Sequence, residues 1–366
     1  MSSLIGRWIG TTSVFAGFGA RMRGIGGGLV GGRRNFGGSA IDCRSYRSIQ
    51  PGASNREFAV SVACPPGYAA TPMGSSSRAV CVCVDANVAR VVDGALSGAG
   101  VIVDHRAAVP ADLGDAKLLV VDRATRMATA GALRAVSVPV VVVGDNLDDE
   151  GLITLMLEAP VSHLVGDPAA IDLAITSEKL VSGDLFGLEK YVSPSSKVGE
   201  RFVSSDAEKR QVIAEVCTWA EAIGARRPVV HRLASVVDEL LMNALHDAPR
   251  ESRPTLTYDP NAPEQRAVLR WAADERTIAI SVGDAFGALR QRDVIDHVRR
   301  AKRDSGRPEL DDHGAGIGLY LVLANVASLI VNVDPGRRTE VVCLFDRSTA
   351  SGRAVAGGVR SLHVFT

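Results

Sequence analysis

The chain has 366 residues, 46% hydrophobic and 22% charged, a globular composition long enough for two domains and a sizeable core. Its formal net charge is zero, which excludes a global electrostatic pull toward nucleic acid or an anionic membrane surface. No run of about 18 apolar residues occurs, so no membrane-spanning helix is expected, and the absence of any Cys-x-x-Cys pair among the six cysteines argues against a zinc site.

Residues 1 to about 75 are rich in Gly, Ser and Arg and carry only Asp42 and Glu57 as acids. Tracts such as Gly24-Ile-Gly-Gly-Gly-Leu-Val-Gly-Gly32 bury too little surface to offset their ordering entropy, so this stretch is expected to be a disordered tail. A transit peptide shares the same Arg-rich, acid-poor bias, and an in-frame extension ahead of a working start at Met73 is the third reading.

Residues 76–170 alternate short Val/Leu runs with helical spacers. The runs are Ala79–Asp85, Val101–Val103, Lys117–Asp122, Val138–Gly144 and His163–Gly166, with a helix over Ala86–Ala99. Continuous apolar strands with helical crossovers predict a parallel sheet covered on both faces, a flavodoxin-like doubly wound α/β domain. Cys81 and Cys83 share one face of the first strand, and isolated buried thiols fit a reducing, cytoplasmic location. The spacing resembles a response-regulator receiver domain, with Asp122 at the phospho-acceptor position and Asp85 at one metal-binding acid. Ala86 supplies no second acid, Gly144 and Asp145 replace the expected hydroxyl residue, and no Lys follows the fifth strand. Without those partners, phosphoryl transfer to Asp122 loses its charge stabilisation. The resemblance therefore implies a degenerate, non-phosphorylated receiver-like domain, with Asp122 acting as a loop acid or helix cap.

Residues 171–204 read as a connector. Helices are predicted over 206–223 and 229–248, the second stopped by Pro249. Strands follow at Leu256–Tyr258, Ala267–Trp271, Thr277–Val282, Ile330–Val333 and Thr339–Phe345, with a helix over 316–328 and a Pro335-Gly336 turn. Together they predict a two-layer α/β sandwich over 205–346. Residues 347–366 read as a short variable tail.

Three segments of this half carry chemistry. In Val237-Asp-Glu-Leu-Leu-Met-Asn-Ala-Leu-His-Asp-Ala-Pro249, the four-residue spacing of Glu239, Asn243 and Asp247 puts all three on one helix face. Ser281-Val-Gly-Asp-Ala-Phe-Gly287 is an apolar strand ending in Asp284. Asp312-His-Gly-Ala-Gly-Ile-Gly-Leu-Tyr-Leu-Val322 is a Gly-rich turn opening into an apolar helix, a layout suited to phosphate oxygens. No strand leads into the glycines, which excludes a Rossmann site, and no Gly-Lys-Ser/Thr occurs, which excludes a Walker A loop.

The three segments, in this order, resemble the N box and two glycine boxes of the GHKL ATPases, the superfamily of gyrase-type ATPases, histidine kinases and anti-sigma-factor serine kinases. The resemblance implies ATP and Mg2+ as ligands. It makes Asn243 the metal ligand and Glu239 the general base, with Asp247 near the outer metal shell, ribose or phosphates. Asp284 would accept from the adenine amino group, Gly287 would serve the first glycine box, and Gly314, Gly316 and Gly318 would admit the phosphates. Asp-Ala-Phe-Gly departs from the usual Asp-x-Gly-x-Gly. Residues 288–313, with Arg290, Arg292, Arg299, Arg300, Lys302, Arg303 and Arg307, would form the lid, most of these charges being solvated. His231 is followed by Arg232 and lies at the motif helix, so it is no histidine-kinase acceptor. The compact layout looks closer to the anti-sigma-factor serine kinases. That implies phosphoryl transfer to a protein partner, an antagonist or sigma factor, with no nucleic acid or membrane as partner and with homodimerisation open. The alternatives are a non-catalytic, ATP-gated protein-binding module and an orphan ATPase.

Overall fold

The computed structural model describes residues 77–167, 172–252, 262, 266–303, 318–347 and 361–366. The expected tail over 1–75 and the strand expected at Leu256–Tyr258 lie outside the described residues. The fold is mixed α/β around one large sheet. Its first half is β1 (Arg78–Val82), α1 (Ala86–Gly98), β2 (Ile102–His105), β3 (Leu118–Asp122), α2 (Arg123–Leu133), β4 (Val140–Val143), α3 (Glu150–Glu158) and β5 (Val161–Val165). Each helix starts on an aspartate that closes the preceding turn: Asp85, Asp122 and Asp149 accept backbone N–H groups of the first turns of α1, α2 and α3. β1, β3 and β4 are buried along nearly their whole length, which is why they read as continuous apolar runs, whereas the edge strand β2 is largely exposed.

The second half comprises α4 (Asp172–Ser182), a 3-10 turn at Leu188–Tyr191, β6 (Gly199–Val203), α5 (Asp206–Ala222), α6 (Arg227–Met242), a π-turn at Asn243–Asp247 and α7 (Ala248–Ser252). It continues with β7 (Ala267–Ala273), β8 (Thr277–Asp284), α8 (Gln291–Arg303), α9 (Gly318–Asn325), β9 (Ser328–Asp334), β10 (Arg338–Asp346) and β11 (Ser361–Phe365). The helix expected over 316–328 is thus shorter, because Ser328 already pairs with Leu344 in the β9–β10 ladder. Nor does Pro249 stop the motif helix. Ala248 N–H bonds to the Asn243 carbonyl in the wider π-turn, and the chain passes on into α7 with Pro249 in its first turn, where no donor is needed.

Among the described residues the strands form one 11-stranded sheet in the order β2-β1-β3-β4-β5-β11-β9-β10-β8-β7-β6. β2, β1, β3, β4 and β5 are parallel, whereas β9, β10, β8, β7 and β6 are antiparallel. The join is β11, antiparallel to β5 and parallel to β9. Residues 347–366 therefore do more than a variable tail would: their last residues are a central, buried strand. The connector is also structured, supplying α4 and the edge strand β6. One apolar layer, lined by Leu133, Leu152, Val216, Leu233, Val294 and Val322, packs α2, α3, α5, α6, α8 and α9 on one face. The opposite face is covered by α1 and α4 over the parallel strands, and by α4 and the 3-10 turn over the antiparallel ones.

Candidate functional site

α6 buries Val229, Leu233, Val236, Val237, Leu240 and Leu241 on the sheet, and this 3–4 spacing leaves Glu239 and Asn243 half-buried at the edge of the packed face. Asp247 is also half-buried and lies at the end of the π-turn, where it pairs with Arg250 at 3.4 Å. The Asn243 carbonyl closes the π-turn, so the backbone at the presumed metal ligand is fixed independently of its side chain.

Burial pushes the Glu239 carboxyl above the ordinary range, and the nearby charges of Asp238 and Asp247 add to this, with Lys209 opposing. Lys209, on α5, is itself buried and holds Asp238 at 2.8 Å, which ties α5 to α6 beside the site. A carboxyl raised in this way holds a proton more tightly than a solvated glutamate does.

α9 starts at Gly318, packed on α6. A Cβ at Gly318 would fall on the Glu239 carboxylate, so any larger residue there would push that side chain aside. The structure thereby brings one motif glycine against the motif glutamate. Gly314 and Gly316 lie outside the described residues.

Asp284 ends β8. Its Oδ1 accepts from Phe286 N–H at 2.8 Å and Gly287 N–H at 3.4 Å, which folds the Asp-Ala-Phe-Gly turn back on the strand end. Burial raises its carboxyl above the ordinary value, although those N–H groups oppose the shift. Gly287 has φ of 59°, and its carbonyl accepts from Gly336 N–H at 3.1 Å. A Cβ there would collide with the Asp334 carbonyl and the N–H groups of Gly336 and Arg337 in the β9–β10 turn. The turn thus keeps the one glycine its backbone path demands, while Ala285 and Phe286 occupy positions free of that demand. Thr339, buried on β10, stands opposite Asp284 in the ladder. Sequence reading missed it, because strand register is not written in any local pattern.

The expected lid is in part a packed helix. α8 buries Val294, Ile295 and Val298, and the Gln291 amide donates to the carbonyls of Met156 (2.9 Å) and Val161 (3.1 Å) in the α3–β5 corner. Arg299 and Arg292 pair with Asp296 on their own helix at 2.6 and 3.6 Å, as solvated charges would. The side chains of Arg300, Lys302, Arg303 and Arg307 lie outside those described.

At the carboxyl edge of the parallel strands, Asp122 has both oxygens occupied. Oδ2 accepts from Val84 N–H (2.6 Å) and Asp85 N–H (2.9 Å), and Oδ1 from Thr125 N–H (2.8 Å). Burial would raise its carboxyl, but these donors outweigh it and hold the group below the usual range. Asp145 is engaged by buried Arg126, which also reaches Asp149 at 2.6 Å. A pocket edge filled by capping bonds and an ion cluster leaves Asp122 a structural role.

The α6–α9–β8 region thus presents an uncharged amide at Asn243, raised carboxyls at Glu239 and Asp284, and a close glycine approach at Gly318. Among the described residues no group of three or more His, Cys, Asp or Glu is arranged to hold a metal. The residues present fit magnesium bound chiefly through ligand phosphates, its usual mode.

No family model matches the chain, and no curated protein matches it. Two of the solved structures that it matches are distant ones. One is the SiaB–SiaC complex from Pseudomonas aeruginosa, at 16% identity over 40% of this chain and 88% of that chain, with a TM-score of 0.29. The other is a fungal multi-domain GH3 β-N-acetylglucosaminidase with a GCN5-related glucosamine N-acetyltransferase region, at 10% identity over 59% of this chain and 25% of that chain, with a TM-score of 0.21. Both likenesses are too distant to bear on function.

Proposed function

We propose that this chain is an ATP-binding regulatory protein of the GHKL type, acting as a kinase that transfers a phosphoryl group to a serine of a protein partner. The observation that carries the reading is the meeting of Gly318 and Glu239: two motifs far apart in sequence converge so tightly that a methyl group would displace the carboxylate. The antiparallel strands under α5, α6 and α9 support the GHKL sandwich. The order β2-β1-β3-β4-β5 supports a flavodoxin-like, receiver-like first half.

In this reading Asn243 holds the magnesium ion, whose charge neutralises the phosphates, and Asp284 accepts from the adenine amino group. Glu239 takes the proton of the attacking serine hydroxyl as its oxygen bonds to the γ-phosphorus and the bond to the β,γ-bridging oxygen breaks. Gly314, Gly316 and Gly318 leave backbone room for the phosphate oxygens. Asp122 is a cap, so the first half delivers its input through contact rather than phosphorylation.

Glu239→Gln keeps the shape and removes the base. Full-length protein carrying it should lose ATP turnover by about 10²- to 10⁴-fold while retaining ATP affinity. Turnover at the wild-type rate would refute the assignment. The unusual Asp-Ala-Phe-Gly turn favours a second reading, a non-catalytic ATP-gated binding module, in which wild-type protein binds ATP yet shows no turnover with any partner.

A further inference from the structure

Outside the nucleotide site, one cluster of reactive side chains has no part in the function above. Cys81 lies in β1 and Cys83 just beyond its end, two residues apart and therefore on the same face. Their sulfurs are 3.5 Å apart and share a hydrogen bond. Cys81 is buried, while Cys83 is partly exposed. His105 on β2 is the cross-strand partner of Cys81, and its Nε2 is 2.7 Å from Asp93 of α1. The four groups thus form a chain running from a solvent-facing thiol through a buried thiol to an imidazole held by a carboxylate.

We propose that Cys81 and Cys83 are a redox-active dithiol that hydroperoxides oxidise reversibly to an intrastrand disulfide.

The electrostatics suit a pair that shares one proton. The hydrogen bond with Cys83 lowers the Cys81 thiol, burial opposes this, and His105 adds to the lowering; Asp93 and Asp122 counter it. The same hydrogen bond, then burial, raises Cys83. Asp93 raises the His105 imidazole, keeping positive charge next to the sulfurs. Hydrogen-bonded sulfurs share the charge left by the first proton, and Cys83 is the sulfur that solvent reaches. The other described cysteines lack this setting: Cys217 and Cys343 are both raised by burial.

The backbone permits closure. The last ladder pair of β1 in the β1–β3 register is Val82 with Val121, so Cys83 lies past the hydrogen-bonded ladder. It can move toward Cys81 by the roughly 1.5 Å that separates hydrogen-bonded sulfurs from a disulfide without breaking strand pairing. A bridge so close along one strand is strained, which makes it readily reducible and suited to switching.

In the first step the Cys83 thiolate attacks one peroxide oxygen. The O–O bond breaks, hydroxide leaves and takes up the proton released by the pair, and Cys83 becomes a sulfenic acid. Cys81 then attacks the Cys83 sulfur, the S–O bond breaks, and a second water leaves with the Cys81 proton. Two thiols lose two hydrogens, and one hydrogen peroxide becomes two waters. Because Val84 and Asp85, next in sequence, donate to Asp122, the change is applied to the loop that caps both α1 and α2.

The test uses the full-length reduced protein, hydrogen peroxide, an alkylating quench and tryptic mapping. The peptide from Ala79 to Arg90, which contains both thiols, should become two hydrogens lighter and resist alkylation, and a dithiol reductant should restore both labels. Cys217 and Cys343 should remain alkylatable. His105→Ala should slow closure about tenfold at neutral pH, with the difference vanishing once the thiols ionise unaided. Free thiols throughout, a terminal sulfinic acid on Cys83, or closure rates in His105→Ala equal to wild type at every pH would overturn the proposal.

Discussion

Two carboxylates illustrate how burial sets chemistry at single residues. Glu239 and Asp284 are both pushed up, chiefly by desolvation. Asp284 holds its proton more tightly in the folded than in the unfolded chain. The stability this confers is complete below the ordinary carboxyl value and is lost as pH rises through the raised folded value. At neutral pH the desolvated carboxyl therefore costs stability that it does not cost at low pH. Asp284→Asn keeps an oxygen for the Phe286 and Gly287 N–H groups, so it should raise the thermal midpoint of the free protein at pH 7 and not at pH 3. The same variant should lose the stabilisation that magnesium and ATP give the wild type. A midpoint difference independent of pH would show that the charge is not the cause.

β11 shows the cost of a missing element more sharply than any side chain. Deleting residues 361–366 would open β5 and β9 as adjacent, long, apolar edges in the middle of the sheet. The truncated protein should self-associate on size exclusion and unfold without a single cooperative transition in urea. A monomer with the wild-type midpoint would contradict the pairing. This strand also marks where sequence reading stops. β1, β3 and β4 were legible because each is a nearly unbroken apolar run, and α6 because its apolar residues repeat at helical spacing. Ser361 and His363 broke both patterns in β11. They are buried because Asp172 and Thr176 of α4 and Ser328 of β9 build a polar layer around them, and no local period records that. Pro249 misled for the opposite reason: the signal is real, but a π-turn places it where a helix starts again. At the site, Glu239, Asn243, Asp284 and Gly318 could be picked out from their motifs, whereas Thr339 could not, since only the β8–β10 register brings it to Asp284.

At the scale of the whole molecule, the two halves share a seam that carries ionisable groups. Lys179 of α4 is almost fully buried, donates to Asn332 (2.6 Å) and Tyr191 (2.9 Å), and lies over the Phe365 ring. Burial lowers its ammonium from 10.5 to about 7, with Glu340 opposing. Between those values the unfolded chain binds a proton that the folded chain does not. Stability should therefore rise with pH across that window and be lost as pH falls toward about 7. Urea midpoints measured from pH 7 to 10 should show this slope in the wild type and a flatter one in Lys179→Met; equal slopes would remove Lys179 as the cause. The seam and the α8 contact with the α3–β5 corner join the proposed ATP site to the parallel-sheet half, so nucleotide binding is the event on which the functional account depends. The most direct test is calorimetry of magnesium-dependent ATP binding to the full-length protein, wild type beside Asn243→Ala. The account predicts binding by the wild type that requires magnesium and is lost or sharply weakened in the variant. No binding by the wild type, or equal binding by both, would contradict it.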